Sequence, residues 1–253
     1  MSSRKVVLLG LLVLLTVGIL FQLAIALETD PTGVQTITRG VSSTFNGSQY
    51  TLQNTTAEAG NITQLTLASI GPTRSWQGFY GEISGEIVLE DANGNTMYNW
   101  TAAEPTGVIY ASVGNTITWG DVACMDDADN VTRASEEALH DMASDDGDGV
   151  TETFTNNNHP TIYIGATAIT GCNTTWTHVN SAPQSARFAE ILLEDDTNDY
   201  GIYATVIENK DNGNSTEIIG FDGATHDFQL MVPENGTDNN QVLTTYYFWA
   251  AIS

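Results

Sequence analysis

Apolar and polar positions alternate most regularly over residues 74–112, RSWQGFYGEISGEIVLEDANGNTMYNWTAAEPTGVIYAS. A period of two marks strands with one buried face. Asn93-Gly94 lies in the middle. Asn-Gly suits a type I′ turn, because both central residues of that turn need positive φ. A two-residue loop there pairs Ala92 with Asn95, Leu89 with Tyr98 and Ile87 with Trp100. Ile87, Leu89, Tyr98 and Trp100 then share one face, expected to face the core. Cross-strand pairs of this kind contribute roughly 0.2–1 kcal/mol each. Glu86, Val88, Glu90, Met97 and Asn99 share the other face, expected to meet solvent. A further strand over residues 108–112 is expected after the Glu104-Pro105-Thr106-Gly107 turn.

The same pattern predicts strands elsewhere. Residues 61–70 set Ile62, Leu65 and Leu67 among Thr and Gln, and a strand entering the core is expected there. Residues 34–44 are expected as an extended segment in a polar stretch. Further strands are expected over 161–169, 189–193, 201–207, 217–220 and 228–232. Asn212-Gly213 offers a second hairpin that pairs Ile207 with Ile218. Residues 242–252 (VLTTYYFWAAI) are apolar on both faces, which suits a central strand. Helical spacing is confined to residues 130–143, where Ala138, Leu139 and Met142 make a weak apolar face. Short strands separated by Gly, Asn and Asp turns predict a mainly β fold, an antiparallel β-sandwich of jelly-roll or Ig-like type. One short surface helix and an N-terminal signal or anchor helix complete it. Three regions are expected: residues 1–26 as signal peptide or membrane anchor, 27–56 as a polar extended segment, and 57–253 as the β-sandwich domain.

The N-terminal region changes the picture first. Arg4 and Lys5 precede an unbroken apolar run over residues 6–20, and Ala24-Ile25-Ala26 fits a small-x-small cleavage site. Cleavage leaves a mature chain beginning at Leu27. The alternative is an anchor, since residues 6–27 are long enough to span a bilayer. Either route exports the body to the extracellular side. Charge changes it again. All 31 Asp and Glu residues follow position 26, against five basic residues, Arg39, Arg74, Arg133, Arg187 and Lys210, so the mature chain carries a net charge of −26. At molar salt the Debye length falls to about 3 Å, which screens such self-repulsion. This composition suits a halophilic surface; the alternative is an acidic protein of ordinary water. It excludes nucleic acid, which requires basic patches.

Candidate chemistry is sparse. Cys124 and Cys172 are the only cysteines, and in an exported chain they are expected to form a disulfide. A loop of that length contributes roughly 3–4 kcal/mol in the chain-entropy model. The alternative is a free reactive pair. Asp145, Asp146 and Asp148, in the run Ser144-Asp145-Asp146-Gly147-Asp148-Gly149, resemble the middle of a calcium loop. The first and twelfth positions would be Ser144 and Thr155, which depart from that motif, and a solvated acidic turn is the alternative. No other cofactor is implied. His140, His159, His178 and His226 lack zinc-ligand spacing. No nucleophile elbow, phosphate loop or dinucleotide fingerprint occurs, so no enzyme is expected. Trp76 and Trp119 belong either to the core or to an exposed sugar-binding platform. Eight Asn-x-Ser/Thr sequons, at Asn46, Asn54, Asn61, Asn99, Asn130, Asn173, Asn214 and Asn235, suit a glycosylated surface protein.

Several segments recur in order in another group. They are W-x-G-F-Y-G-x-I-S-G-x-I-V-L-x-D from Trp76, Tyr98-Asn99-Trp100, residues 109–112 (IYAS), and G-F-D-G-x-x-x-D-F-Q-L-M-V-P-E from Gly220. Over about residues 57–252 the chain resembles a group of exported proteins of archaea. The resemblance carries no activity and transfers no catalytic residue. It implies a secreted or cell-surface archaeal protein. The expected function is a structural or interaction protein at the cell surface, a filament, sheath or surface-layer subunit or an adhesin. Its partners would be further copies of itself or other surface proteins. Residues 34–44 are expected to donate a strand to a neighbouring subunit. The alternative is a secreted calcium- or carbohydrate-binding β-sandwich module.

Overall fold

A computed structural model describes residues 29–45, 53–102, 105–208, 218–236 and 243–253. The expected signal or anchor over residues 1–26 and the hairpin at Asn212-Gly213 lie outside them. Among the described residues no helix is long and apolar enough to cross a membrane. The strands are β1 (Thr32–Gly33), β2 (Trp76–Gly81), β3 (Gly85–Glu90), β4 (Thr96–Ala102), β5 (Gly107–Ser112), β6 (Val122–Cys124), β7 (Ile162–Ile164), β8 (Thr167–Ile169), β9 (Thr174–Trp176), β10 (Ala189–Asp195), β11 (Tyr200–Val206), β12 (Phe228–Pro233) and β13 (Tyr247–Ile252). Two short helices, α1 (Arg133–Leu139) and α2 (Val150–Thr153), lie between β6 and β7.

The architecture is mainly β, and its sheets are antiparallel. The large sheet runs β1-β13-β5-β11-β10-β6, and β9 also pairs with β10. β9 covers Ala189 to Ile191, while β6 covers Leu193 to Asp195, so they share one edge of β10. Every residue of β10 is buried. On one face Ile191, Leu193, Ile202, Ala204 and Tyr110 meet Ile162, Ile164 and Ile169 of the β7–β8 hairpin. On the other, Leu192, Tyr203 and Ala111 meet Leu230 and Val232 of β12, with Val150 and Phe154. β12 pairs with β2 as a second, two-stranded sheet over that face. A strand covered on both faces tolerates a continuous apolar run, which is why Ile191, Leu192 and Leu193 stand together.

Local sequence explains much of the detail, and the structure corrects some of it. Residues 161–169 form two strands because the chain turns at Gly165. Residues 34–44 and 61–70 form no strand, apart from the two-residue β1 just before the first segment. β13 is not central. Only β1 lies outside it, pairing Trp249 and Ala250, and β13 is accordingly half-buried. Helix α1 begins at a reciprocal cap between Thr132 and Ser135. Its inward face is the reverse of the expected one: Ala138 and Leu139 are exposed, while Glu136 and Glu137 are buried and Met142 packs in the core. Partners waiting inside explain the reversal. Glu136 accepts a hydrogen bond from the Tyr203 hydroxyl at 2.8 Å, and Glu137 accepts one from the Thr151 N–H at 2.7 Å. Gly201 leaves the room, since a Cβ there would lie 2.6–2.7 Å from the Glu136 carboxylate.

The β3–β4 hairpin has the expected pairs Ile87↔Trp100 and Leu89↔Tyr98. Its turn differs. The Asp91 N–H donates to the Asn95 carbonyl, and Gly94 takes positive φ at 78° while Asn93 does not. The loop therefore holds three residues, and a bulge sets Glu90 opposite Thr96. The cause is the Asp91 carboxylate, which accepts from the Asn93 and Asn95 N–H groups at 2.9 Å each and tightens the turn around itself. The larger correction concerns burial. Ile87 is 41%, Leu89 52%, Tyr98 59% and Trp100 51% exposed, so the face expected to be core meets solvent.

Glu190 of β10 is fully buried. One carboxyl oxygen accepts the Met231 N–H at 2.9 Å, and the other has no hydrogen-bond partner. Burial holds this carboxyl well above the ordinary value of 4.5, with the Met231 bond pulling the other way. The folded protein thus keeps a proton that the unfolded chain releases, and stability falls as pH rises past the ordinary value. Glu190→Gln is expected to raise Tm at neutral and alkaline pH and to flatten its decline as pH rises past the ordinary carboxyl value, followed by calorimetry. A variant melting no higher than the parent at about pH 8 would refute the reading.

Candidate functional site

Two surfaces stand out once the core is assigned. The first is the β3–β4 hairpin, which among the described residues pairs with no other strand. Its base touches the body where Gly85 meets Ile252. Beyond the base it carries an exposed apolar face, with the Tyr98 and Trp100 rings 4.8 Å apart. Residues 61–70 complement it. Ile62, Leu65, Leu67 and Ile70 are all exposed, and the segment belongs to no ladder. A strand-like sequence without a sheet and a two-stranded sheet without a third strand thus occur in one chain. In residues 34–44, the Val34 N–H donates to the Phe248 carbonyl at 3.2 Å, but Ile37 and Val41 beyond it are exposed.

The second surface is a groove of about 1090 Å³ beside β2, lined among others by Trp76, Tyr80, Trp176, His178 and Phe221. Tyr80 and Phe221 are exposed, with ring centroids 5.0 Å apart. The two tryptophans proposed for a sugar platform divide. Trp119, partly buried, packs edge-on against Tyr110 at 5.1 Å and Trp249 at 5.8 Å at the margin of the core. Trp76 packs against Phe154 and Tyr203 and donates to the Asp148 carbonyl at 2.6 Å, while also lining the groove.

That last bond shows what the acidic loop does. Asp148 also accepts from the Thr73 hydroxyl, and Asp146 accepts from the Ala143 N–H at 2.8 Å. Asp146 and Asp148 therefore pin the loop and dock the start of β2. Among the described residues, the carboxylates that lie close enough together to share a cation are Asp126, Asp129 and Glu194, not Asp145, Asp146 and Asp148. Sequence reading missed them because Glu194 comes from β10, 68 positions after Asp126.

Cys124 and Cys172 form a disulfide, with Cα atoms 4.9 Å apart. It joins the end of β6 to the approach to β9, the two strands that share the edge of β10. The histidines are dispersed. His140 is buried near Tyr246, and burial holds its ring below the ordinary 6.5, against the pull of Glu234. The His159 Nε2 accepts the Cys172 N–H at 3.0 Å, and His226 bonds Asp222 at 2.9 Å. His178 is exposed at the groove.

The sequons also differ in setting. Asn54, Asn61, Asn99 and Asn130 are exposed. Asn173 is half-buried and its amide nitrogen donates inward to the Met125 carbonyl at 3.1 Å, whereas those of Asn99 and Asn130 donate to the side chains of Glu86 and Asp199 at the exposed surface. The Asn235 amide donates to Asp141, and its oxygen is buried. Asn46 and Asn214 lie outside the described residues. Comparison with protein-family models, with curated proteins and with solved structures gives no match to this chain. Peptide mapping of the protein isolated from its native source is expected to find glycans at Asn99 and Asn130 and none at Asn173. Occupied Asn173 would contradict this ordering by accessibility.

Proposed function

We propose that the protein is an exported cell-surface structural or interaction protein of a halophilic archaeon, a subunit that self-associates into a filament, sheath or surface layer. The observation that carries this reading is the β3–β4 hairpin, with Ile87, Leu89, Tyr98 and Trp100 facing solvent. A lone two-stranded hairpin is marginally stable in water. Its unpaired edges accept a further strand through main-chain hydrogen bonds. Residues 61–70 of a second copy supply that strand, since they carry exposed apolar side chains and, among the described residues, form no strand of their own chain. Molar salt screens the repulsion between copies whose mature chains each carry a net charge of −26.

The test is electron microscopy of the protein in molar salt. Leu89→Lys combined with Trp100→Glu is expected to abolish assemblies, and deletion of residues 61–70 to do the same. Tm of the body is expected to move little, because exposed substitutions usually change stability by no more than about 0.5 kcal/mol. Assemblies that persist in both variants would sink the proposal.

The groove favours a second reading, a secreted carbohydrate-binding module. Exposed rings beside polar groups offer sugar-stacking faces, and Tyr80, Phe221 and His178 provide them. In this case Tyr80→Ala with Phe221→Ala is expected to weaken retention on a polysaccharide matrix about tenfold. Equal retention of parent and variant would remove it.

A further inference from the structure

We propose that Asp126, Asp129 and Glu194 form a calcium site at the edge of the large sheet, where the loop after β6 passes over β10. One oxygen from each carboxylate lies within 4.8 Å of the other two. Oxygens that close can share one cation, and exposed carboxylates with room for water suit calcium's six to eight ligands better than magnesium's strict octahedron. The donors are all carboxylate oxygens, the hard ligands that calcium takes and that zinc and copper sites seldom rely on alone.

Acidic residues crowd every surface of this chain, so proximity alone decides nothing. Glu194 supplies a second observation. It is 1% exposed, and one of its oxygens, Oε1, accepts the Asp126 N–H at 3.2 Å. The other, Oε2, is buried with no hydrogen-bond partner. A buried carboxylate oxygen without a donor is costly, and a cation is the natural partner for it. Among the described residues no Arg, Lys or His side chain bonds to any of the three. Arg133 is already committed to the neighbouring Asp127, which it grips with two nitrogens, and it bonds neither Asp126 nor Asp129.

The scaffold is built for a fixed geometry. The Cys124–Cys172 bridge anchors the strand before the loop. The Met125 N–H donates to the Leu192 carbonyl at 3.3 Å, and the Met125 carbonyl accepts from Asn173 at 3.1 Å. Asp126 then accepts the Ala128 N–H at 2.7 Å, turning the chain so that Asp129 returns to the same place. Asp126 and Asp129 are exposed, which leaves the outer side of the ion to water, as calcium's six to eight ligands require. Asp121 and Asp196 add negative charge close by. This proposal is independent of the assembly mechanism, since the site lies on the body and the hairpin stands apart from it.

The experiment is a calcium titration of the full chain after chelation, in molar KCl at constant ionic strength, followed by Tm and by calorimetric binding, with magnesium as the comparison. Calcium at about a hundredfold excess over its dissociation constant is expected to raise Tm by roughly 5–10 °C, and magnesium by much less. Asp126→Asn with Asp129→Asn is expected to fold normally, because both side chains are exposed, and to lose the shift and the binding heat. Glu194→Gln is expected to lose them as well, while Asp145→Asn with Asp146→Asn keeps them. No calcium-specific shift in the parent would overturn the proposal. So would a shift retained by the Asp126/Asp129 double variant or lost in the Asp145/Asp146 one.

Discussion

The burial of β10 on both faces is the constraint from which the rest follows. Its side chains alternate between two dry layers, with Ile191 and Leu193 facing the β7–β8 hairpin and Leu192 facing β2 and β12. β11 pairs along nearly its whole length and carries the same alternation through Ile202, Tyr203 and Ala204. Everything that must lie over those layers is positioned by them. The disulfide serves the same centre, because it joins the two short segments that complete the edge of β10.

A protein this acidic has to choose which carboxylates go inside. Glu136, Glu190 and Glu194 are all buried, and burial pushes each carboxyl upward, that of Glu194 to about 7 with help from the charges of Asp196, Asp129 and Asp126. Their solutions differ. Glu136 accepts from the Tyr203 hydroxyl, and Glu190 takes one backbone N–H beneath β12. Glu194 opens toward two more carboxylates at the sheet edge. A carboxyl that keeps its proton removes a negative charge as well as a desolvation cost. Folding must then hold a proton that the unfolded chain releases, so this relief fades and stability falls as pH rises past the ordinary carboxyl value.

Outside this body the chain follows a different rule. The β3–β4 hairpin and residues 61–70 keep the alternation of half-buried strands while exposing the face that alternation normally hides. Side-chain pairing holds the hairpin register without help from the core, and the Asp91 turn closes it locally. A dry, disulfide-linked body thus carries strand-like segments that, among the described residues, join no larger sheet.

What was legible in the sequence is what near neighbours decide. The pairs Ile87↔Trp100 and Leu89↔Tyr98, the antiparallel β class and the strands at β5, β10, β11 and β12 follow from period-two patterning and turn residues. The Cys124–Cys172 bridge followed from the chain having a single pair of cysteines. Patterning states that a face is apolar; it does not name what covers it. Hence the hairpin's apolar face, read as core, meets solvent, and α1 turns its glutamates inward toward Tyr203 and Thr151. The convergence of Asp126, Asp129 and Glu194 belonged wholly to the tertiary structure. Their oxygens meet because β6 pairs with β10 across a long span of sequence, and only that pairing distinguishes these three among 31 acidic residues.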